Sequence, residues 1–213
     1  MKTSCDFRQI SPFEPDPHII KSAVECIRDD GVIAFPTTGL YGLGADALNR
    51  NAVERIFRIK RRPLHNPILV LIKAEADLSM IVKDVPQLAR QLIRTFWPGG
   101  LTIIFSAQDT LPEALTGGTG KIGVRMPAHP VAMALVSGLN GILTGTSANI
   151  SGEPGCSEVS LLDDRVVEKL DLILDAGSLS GGLGSTVVDV TTPKPVIIRQ
   201  GAIAKNRILS VTG

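Results

Sequence analysis

The sequence predicts a mixed α/β (α+β) fold, in which helices flank a twisted mixed sheet within a single domain. The chain has 213 residues, of which 44% are hydrophobic and 20% charged, so it can bury a large core. Short apolar runs typical of buried strands alternate with amphipathic segments, although some strands follow one another directly. No repeat or long linker interrupts this order. We therefore expect one domain over residues 1–213, with its core at about 16–201 and short terminal extensions.

The first predicted elements are a helix and a strand that follow each other closely. Asp16 and Pro17 suit an N-cap and a first helical residue, and Gly31 closes the helix. The continuous apolar run 32–35 predicts a strand covered on both faces, which Pro36 ends. The residues that follow this strand are therefore exposed at its end.

The next predicted helix ends in a cluster of cations before Pro63. Its stripe at the i, i+3, i+4, i+7 spacing includes Val53, Ile56, Phe57 and Lys60. A helix C-terminus favours cations in any case, because of its dipole. Lys60, however, continues the buried stripe, and Arg62 lies beyond the helix, where its planar fork can reach a phosphate. Arg61 points elsewhere, and we expect it to be solvated.

The remaining elements alternate in the way that a mixed sheet requires. Further apolar runs predict strands at 68–72, 102–105, 122–126, 142–144, 172–174, 186–190 and 196–199. Helical patterns occur at 86–96, 130–136 and 161–170.

Composition limits the classes of function. The formal net charge of +1 gives no global case for binding nucleic acid or a membrane. Three widely spaced cysteines favour a reducing compartment, so we expect a cytoplasmic protein. The N-terminus has no apolar signal core, and no apolar run reaches the ~18 residues of a membrane span.

Two Gly-rich stretches, 36–44 and 181–186, have the composition of ligand-binding turns. Taken singly, Gly42, Gly44, Gly182 and Gly184 are more simply explained as positions that need a positive φ. Neither stretch is a Walker A loop, and neither has the Rossmann spacing. A nucleotide, if bound, is not bound by a standard loop.

A stretch of small polar residues, which includes Thr146, Ser147 and Asn149, follows the predicted strand 142–144. It suits a turn in which Asn149 bonds the local backbone. A serine nucleophile would need a base, and this stretch lacks the last glycine of a nucleophile elbow. The three histidines have no second histidine or cysteine at ligand spacing, so we expect no protein-bound metal.

Two arginines lie in apolar strands. Arg125 ends the run 122–126, and Arg199 ends the run 196–199. An arginine in such a position needs an anionic partner, which is either a buried acid or a substrate carboxylate. The sequence leaves both possibilities open.

In this order, these stretches resemble the YrdC-like family, the threonylcarbamoyl-AMP synthases, in a short single-domain form. The resemblance covers about residues 31–201. It rests on Pro36-Thr37-Thr38 with Tyr41-Gly42-Leu43-Gly44, Lys60-x-Arg62-Pro63 with Asn66-Pro67, Trp97-Pro98-Gly99, Val124-Arg125-Met126-Pro127, Ser147-x-Asn149 with Ser151-Gly152, and Ser185-Thr186-Val187.

The resemblance implies a concave, positively charged cleft in which L-threonine, bicarbonate and ATP form threonylcarbamoyl-AMP and pyrophosphate for tRNA modification. The residues it implies for catalysis are Lys60, Arg62, Ser147 and Asn149. Those implied for threonine are Thr37, Thr38, Arg125, Ser147 and Ser185. Those implied for ATP are Lys60, Arg62, Asn66, Lys121, Thr146, Asn149 and Arg199.

The resemblance also implies that Mg²⁺ enters with ATP, and that partners include tRNA or double-stranded RNA and downstream threonylcarbamoyl-transfer proteins. Two alternatives remain. One is a noncatalytic RNA-binding relative, which the near-neutral charge and the aromatic content of 4% disfavour. The other is a paralogue that acts on another small molecule. Thr38-Gly39 and Leu71 keep it open, because they replace an acidic residue and a histidine of many family members.

Overall fold

Helices and strands alternate along most of the chain, as the sequence predicts. The computed structural model describes residues 5–212. Its α-helices are α1 (Pro17–Arg28), α2 (Arg50–Lys60), α3 (Gln87–Phe96), α4 (Glu113–Thr116), α5 (Pro130–Leu139), α6 (Asp164–Val167) and α7 (Lys205–Thr212). Its strands are β1 (Asp6–Gln9), β2 (Ile33–Pro36), β3 (Tyr41–Gly44), β4 (Val70–Leu71), β5 (Leu101–Ser106), β6 (Lys121–Arg125), β7 (Leu143–Thr144), β8 (Thr146–Ser147), β9 (Leu172–Asp175), β10 (Thr186–Asp189) and β11 (Val196–Arg199). Short 3₁₀ helices occur at Glu75–Met80 and Val159–Leu161.

The strands form two mixed sheets, where we expected one. The first sheet has the order β1-β9-β2-β3-β8, and the second has the order β11-β10-β5-β6-β4-β7. Each contains both parallel and antiparallel pairs. The mixed α/β class is therefore confirmed, and the division into two sheets is a correction.

Both hydrophobic clusters of the core contain residues of both sheets. The larger cluster joins β2 and β3 to β5, β6 and α2, and the smaller joins β2 and β9 to α1 and α5. This arrangement is compatible with one domain over the described part of the chain. The domain limits stay a prediction, and residues 1–4 and 213 of the predicted domain lie outside the described residues.

Local sequence signals explain the elements that were predicted best. The Asp16 side chain accepts a hydrogen bond of 2.7 Å from the His18 backbone N–H, and Pro17 is the first residue of α1. In α2, Asn49 caps the first turn, and Arg61 at the C-terminus has a left-handed φ of 49°. The helix therefore ends at Lys60, so Arg61 and Arg62 lie beyond it rather than in its last turn.

The glycines at the end of the first Gly-rich stretch lie in a strand instead of a turn with positive φ. Gly42 and Gly44 lie in β3, which pairs with β2 on one side and β8 on the other. A Cβ at Gly44 would lie 2.9 Å from Cε1 of Phe35, so the absent side chain makes room for that ring. In the second stretch, Gly182 has the expected positive φ of 91°, whereas Gly184 does not.

Three further differences concern elements near the ends of the chain and the predicted 161–170 helix. Only Asp164–Val167 of that segment is α-helical. Strand β1 and helix α7 were not predicted, because β1 is exposed along its length and α7 buries only Ile208. Neither segment has the periodic apolar pattern on which sequence prediction depends.

Candidate active site

The second sheet brings Arg125, Ser185 and Arg199 to the same end. Strand β6 runs antiparallel to β5, and β10 runs parallel to β5, with Thr186 opposite Leu101. Strand β11 is antiparallel to β10 and places Arg199 opposite Val187. The carboxyl ends of β6 and β11 therefore meet the amino end of β10, where Ser185 precedes the strand.

The guanidinium groups at this end bond backbone carbonyls. Arg125 Nε donates to the Gly99 carbonyl at 2.7 Å, and Arg199 Nη2 donates to the Ser185 carbonyl at 2.9 Å. Arg62 donates to the carbonyls of Asn66 and Pro67 at 3.0 and 2.8 Å. Within residues 5–212, no carboxylate lies within 4.0 Å of any of these three guanidinium groups.

Arg199 is close enough to Arg62 and to Arg125 for its charge to act on both. Burial lowers the pKa of Arg62 and of Arg125, and the positive charge of Arg199 lowers both further. Desolvated like charges without a counter-ion raise the free energy of the empty protein. An anion bound between them would relieve that repulsion. For Arg125, the buried-acid alternative finds no partner in the described chain.

Ser185 belongs to a buried hydroxyl network that the sequence did not reveal. Its Oγ lies 2.7 Å from Oγ1 of Thr102, and Arg199 Nη2 approaches the same Ser185 oxygen at 3.3 Å. Both hydroxyl residues are buried. Thr102 was predicted only as part of a strand. A signal was available, since it is a hydroxyl residue within an otherwise apolar run.

The Lys60 side chain lies in the interior with its charge fully hydrogen-bonded. The residue is 1% exposed, as its place on the buried stripe predicts. Its Nζ donates to the Ser147 carbonyl at 2.6 Å, to the Asn149 carbonyl at 2.8 Å and to Asn149 Oδ1 at 3.2 Å. Burial, followed by the positive charge of Arg62, lowers the pKa of Lys60 to about 7.

The turn after β8 is organised around Asn149. Ser147 Oγ donates to Asn149 Oδ1, and Asn149 Nδ2 donates to the carbonyls of Ile150 and Glu153. Thr146, the first residue of β8, pairs with Leu43 of β3. The local side-chain bonding that we expected of Asn149 is present. The structure also shows that Lys60 bonds this turn from the neighbouring helix.

Ser151 is the next residue of this motif with a polar side chain. Its backbone N–H donates to the Lys60 carbonyl at 2.8 Å. Its Oγ is a buried side-chain polar atom that has no hydrogen-bond partner within residues 5–212. Helix α2 and the turn are therefore joined by main-chain as well as side-chain bonds.

The Thr37–Leu40 turn is hydrogen-bonded to the loop 177–184. Thr37 Oγ1 donates to the Leu40 carbonyl at 2.6 Å, and Thr38 is exposed. Ser180 Oγ donates to the Thr38 carbonyl at 2.9 Å, and the Gly181 N–H donates to the Gly39 carbonyl at 3.0 Å. A Cβ at Gly39 would collide with the Gly181 carbonyl, so glycine is required for this approach.

Lys121 is the predicted site residue that the structure separates from the others. It begins β6, which Arg125 ends, so their backbones are about 13 Å apart at the usual rise of a strand. Its ammonium group forms an ion pair of 2.8 Å with Asp189. Among residues 5–212, no hydrogen bond or ion pair joins Lys121 to the arginine end, and its binding of ATP stays a prediction.

A wide groove formed by the described residues is not centred on these groups. It has a volume of about 1330 Å³ and runs beside the outer face of α2. Leu48, Leu64 and Met80 line it, and Arg62 is its one predicted site residue. Its lining includes charged side chains such as Arg50, Glu54 and Arg58 but none of the other predicted site residues, so the candidate site lies at the arginine end instead.

Between residues 5 and 212, no group of three or more His, Cys, Asp or Glu side chains is arranged to hold a metal ion. No helix in the same range is long and apolar enough to cross a membrane.

The Sua5/YciO/YrdC family model, described as "Telomere recombination", matches residues 25–201. The chain belongs to the Sua5/YciO/YrdC family. Its sequence is 38% identical to the threonylcarbamoyl-AMP synthase of Pyrococcus abyssi, over 91% of this chain and 57% of that protein. The chain also spans 57% of the length of the Bacillus subtilis protein of the same name.

Two solved structures of the Sua5/YciO/YrdC family have the same fold. P. abyssi Sua5 complexed with L-threonine superposes with a TM-score of 0.93 at 36% identity, over 97% of this chain and 61% of that one. Escherichia coli YciO superposes with a TM-score of 0.86 at 32% identity, over 94% of this chain and 97% of that one. This chain is therefore similar both to part of a longer protein and to a protein of nearly its own length.

Proposed function

We propose that this protein joins L-threonine, bicarbonate and ATP into threonylcarbamoyl-AMP, with release of pyrophosphate, and so supplies the threonylcarbamoyladenosine modification of tRNA. The observation that carries the proposal is the convergence of Arg62, Arg125 and Arg199 with no carboxylate partner in the described chain. The names of the curated relatives and the threonine bound by P. abyssi Sua5 support it.

The chemistry requires two anions to meet. The threonine amine takes up carbon dioxide, and the resulting carbamate oxygen attacks the α-phosphorus of ATP. Cations must offset the repulsion between carbamate and triphosphate, and positioning supplies much of the remaining catalysis. Arg62 and Arg199 would bind the phosphates, since each keeps N–H groups beyond its carbonyl bonds. Ser147, Asn149, Thr146 and Asn66 would line the opposite side.

Threonine would lie between the turn at Thr37–Leu40 and the start of β10. Arg125 would pair with its carboxylate in bidentate fashion, with Nε already fixed by Gly99. Ser185 and the two threonines of the turn would bond its polar groups. Gly39 offers no side chain here, so the amino-acid specificity is the part of the proposal most in need of a direct test.

The nucleotide's Mg²⁺ would come with ATP and help to neutralise the developing phosphate charge. None of the hydrogen-bond partners of the three arginines is a carboxylate, so the protein groups here suit the phosphates rather than the metal. We propose that phosphates and water complete the ion's coordination. A cytoplasmic location, tRNA or double-stranded RNA, and transfer proteins that accept the product also belong to this proposal.

The decisive experiment incubates the pure protein with ATP, Mg²⁺, bicarbonate and one amino acid at a time. We expect pyrophosphate and an adenylate to form with threonine, and neither to form when bicarbonate is omitted. Release that depends on a different amino acid would favour a paralogue with another substrate. No release with any amino acid would contradict the proposed enzyme.

A further inference from the structure

The Lys60 ammonium group has no hydrogen left for a ligand. A protonated lysine carries three N–H donors. Three oxygens lie around Nζ, at 2.6, 2.8 and 3.2 Å, and all belong to Ser147 or Asn149. The residue is 1% exposed, so solvent and phosphate have no open path to the nitrogen. A phosphate could bind Nζ only by displacing one of these three oxygens, and so by breaking a bond that holds the turn.

Arg62, two residues further along the chain, keeps N–H hydrogens that no protein group accepts within residues 5–212. Its guanidinium group has five N–H hydrogens, and two hydrogen bonds to the carbonyls of Asn66 and Pro67 fix its position. Three hydrogens remain for an anion. The two cations of the Lys60-x-Arg62 sequence are therefore suited to different tasks.

The oxygens around Lys60 define the geometry of the turn that follows β8. Two are main-chain carbonyls, two residues apart, and the third is Asn149 Oδ1, which also accepts from Ser147 Oγ. One ammonium group thus fixes the backbone on both sides of Ala148 and the rotamer of Asn149. Through Asn149 it also orients the Ser147 hydroxyl.

We propose that Lys60 is a positioning residue that holds the Ser147–Asn149 turn in its active geometry and does not itself contact the phosphates of ATP. The proposal rests on the proposed function in one respect, since it assumes that Ser147 and Asn149 act on the ATP side of the cleft. The binding of phosphates belongs to the arginines.

The test compares Lys60→Met, which keeps the length and apolar stem of the side chain, with Arg62→Met and with Arg58→Met on the exposed face of the same helix. For Lys60→Met we expect kcat to fall by about tenfold or more, while the Kd of ATP and of pyrophosphate by calorimetry changes by less than about threefold. For Arg62→Met we expect Kd to rise by about tenfold. Arg58→Met should change neither quantity.

Hydrogen exchange and a double variant distinguish positioning from a merely structural role. Backbone amides of residues 146–153 should exchange faster in Lys60→Met, while those of β5 and β10 stay protected. Ser147→Ala should cost much less activity in the Lys60→Met background than in the wild type, because the hydroxyl is already misplaced there. Fully additive losses, or faster exchange throughout the protein, would overturn the proposal.

A direct phosphate contact would give a different set of results. A rise of about tenfold or more in the Kd of ATP for Lys60→Met would overturn the proposal. If that variant does not fold, the wild type can be tested instead: its amines are acylated, and mass spectrometry shows whether Lys60 is modified. We expect Lys60 to stay unmodified with and without ATP, whereas modification that ATP prevents would contradict us. The exchange, binding and acylation measurements do not require turnover, so they can be made even if no amino acid supports pyrophosphate release. This inference and the proposed function can therefore fail separately.

Discussion

Lys60 and Arg125 are both cations set among apolar residues, and they differ in how completely their charge is bonded. Three oxygens of one turn saturate Lys60. Within residues 5–212, the Arg125 guanidinium makes one hydrogen bond, to the Gly99 carbonyl, and the positive charge of Arg199 acts on it. A saturated cation holds the groups bonded to it in a fixed geometry. An unsaturated one, with a like charge nearby, makes the empty site unfavourable and favours an anion. The first cation therefore serves the fold of the site, and the second serves its ligand.

The largest effect that this comparison predicts is at Arg125. Arg125→Met keeps the apolar stem and removes the charge that would pair with the substrate carboxylate. We expect threonine-dependent pyrophosphate release, as kcat/KM, to fall by about 100-fold, or about 2.7 kcal/mol of transition-state stabilisation. The thermal midpoint should stay near that of the wild type. Activity within a few-fold of the wild type in the folded variant would place the carboxylate elsewhere.

A smaller effect is expected at Arg199, measured by ligand stabilisation instead of turnover. ATP that binds only the folded protein stabilises it by about 2.7 kcal/mol at 100 times its Kd. Arg199→Met should weaken binding by about tenfold, which removes about 1.4 kcal/mol of that stabilisation at the same ATP concentration. Thermal unfolding with and without ATP measures the difference. An unchanged ATP shift would mean that Arg199 serves only to hold Ser185.

The third prediction concerns the saturated cation and pH. Burial and the charge of Arg62 lower the pKa of Lys60 to about 7, from its usual 10.5. Between these values the unfolded chain binds a proton that the folded chain lacks, so the free energy of unfolding rises with pH by about 1.4 kcal/mol per unit. The cost of burying the charge is fully present below pH 7 and disappears as pH approaches 10.5.

Lys60→Met removes this titration. Urea unfolding of both proteins at pH 7, 8 and 9 should therefore give a stability difference, wild type minus variant, that grows with pH. A difference that stays flat would mean that the three oxygens hold the proton tightly enough to keep the pKa near its usual value.

The features that could be predicted from the sequence are those fixed by residues close together in the chain. The N-cap at Asp16 and the buried position of Lys60 follow from spacings of a few residues. The partners of Lys60, by contrast, lie 87 and 89 residues away. No local sequence pattern predicts contacts between residues so far apart in the chain. Family resemblance supplied both groups of residues but not the bonds between them.

The errors have the same physical origin. Gly42 and Gly44 looked like turn residues because glycine is depleted in strands and common in turns. Their role depends on the Phe35 ring, which the pairing of β2 with β3 brings alongside. Thr102 escaped notice because its partner, Ser185, lies 83 residues away, just before β10. Side chains that act through distant pairing are visible only once the sheet is assembled.

The smallest expected effect, at Lys121, tests whether position along a strand decides the role of a cation. Lys121 and Arg125 begin and end the same strand, and Lys121 pairs with Asp189 at 2.8 Å, whereas Arg125 has no acid within the described chain. A half-exposed ion pair of this kind contributes about 0–1 kcal/mol to stability. We therefore expect Lys121→Met to lower the thermal midpoint slightly and to change kcat/KM and the Kd of ATP by less than about twofold. A loss of ATP affinity comparable to that of Arg199→Met would show that the nucleotide reaches the far end of β6. The presence or absence of an acidic partner would then not distinguish structural cations from cations that bind the ligand.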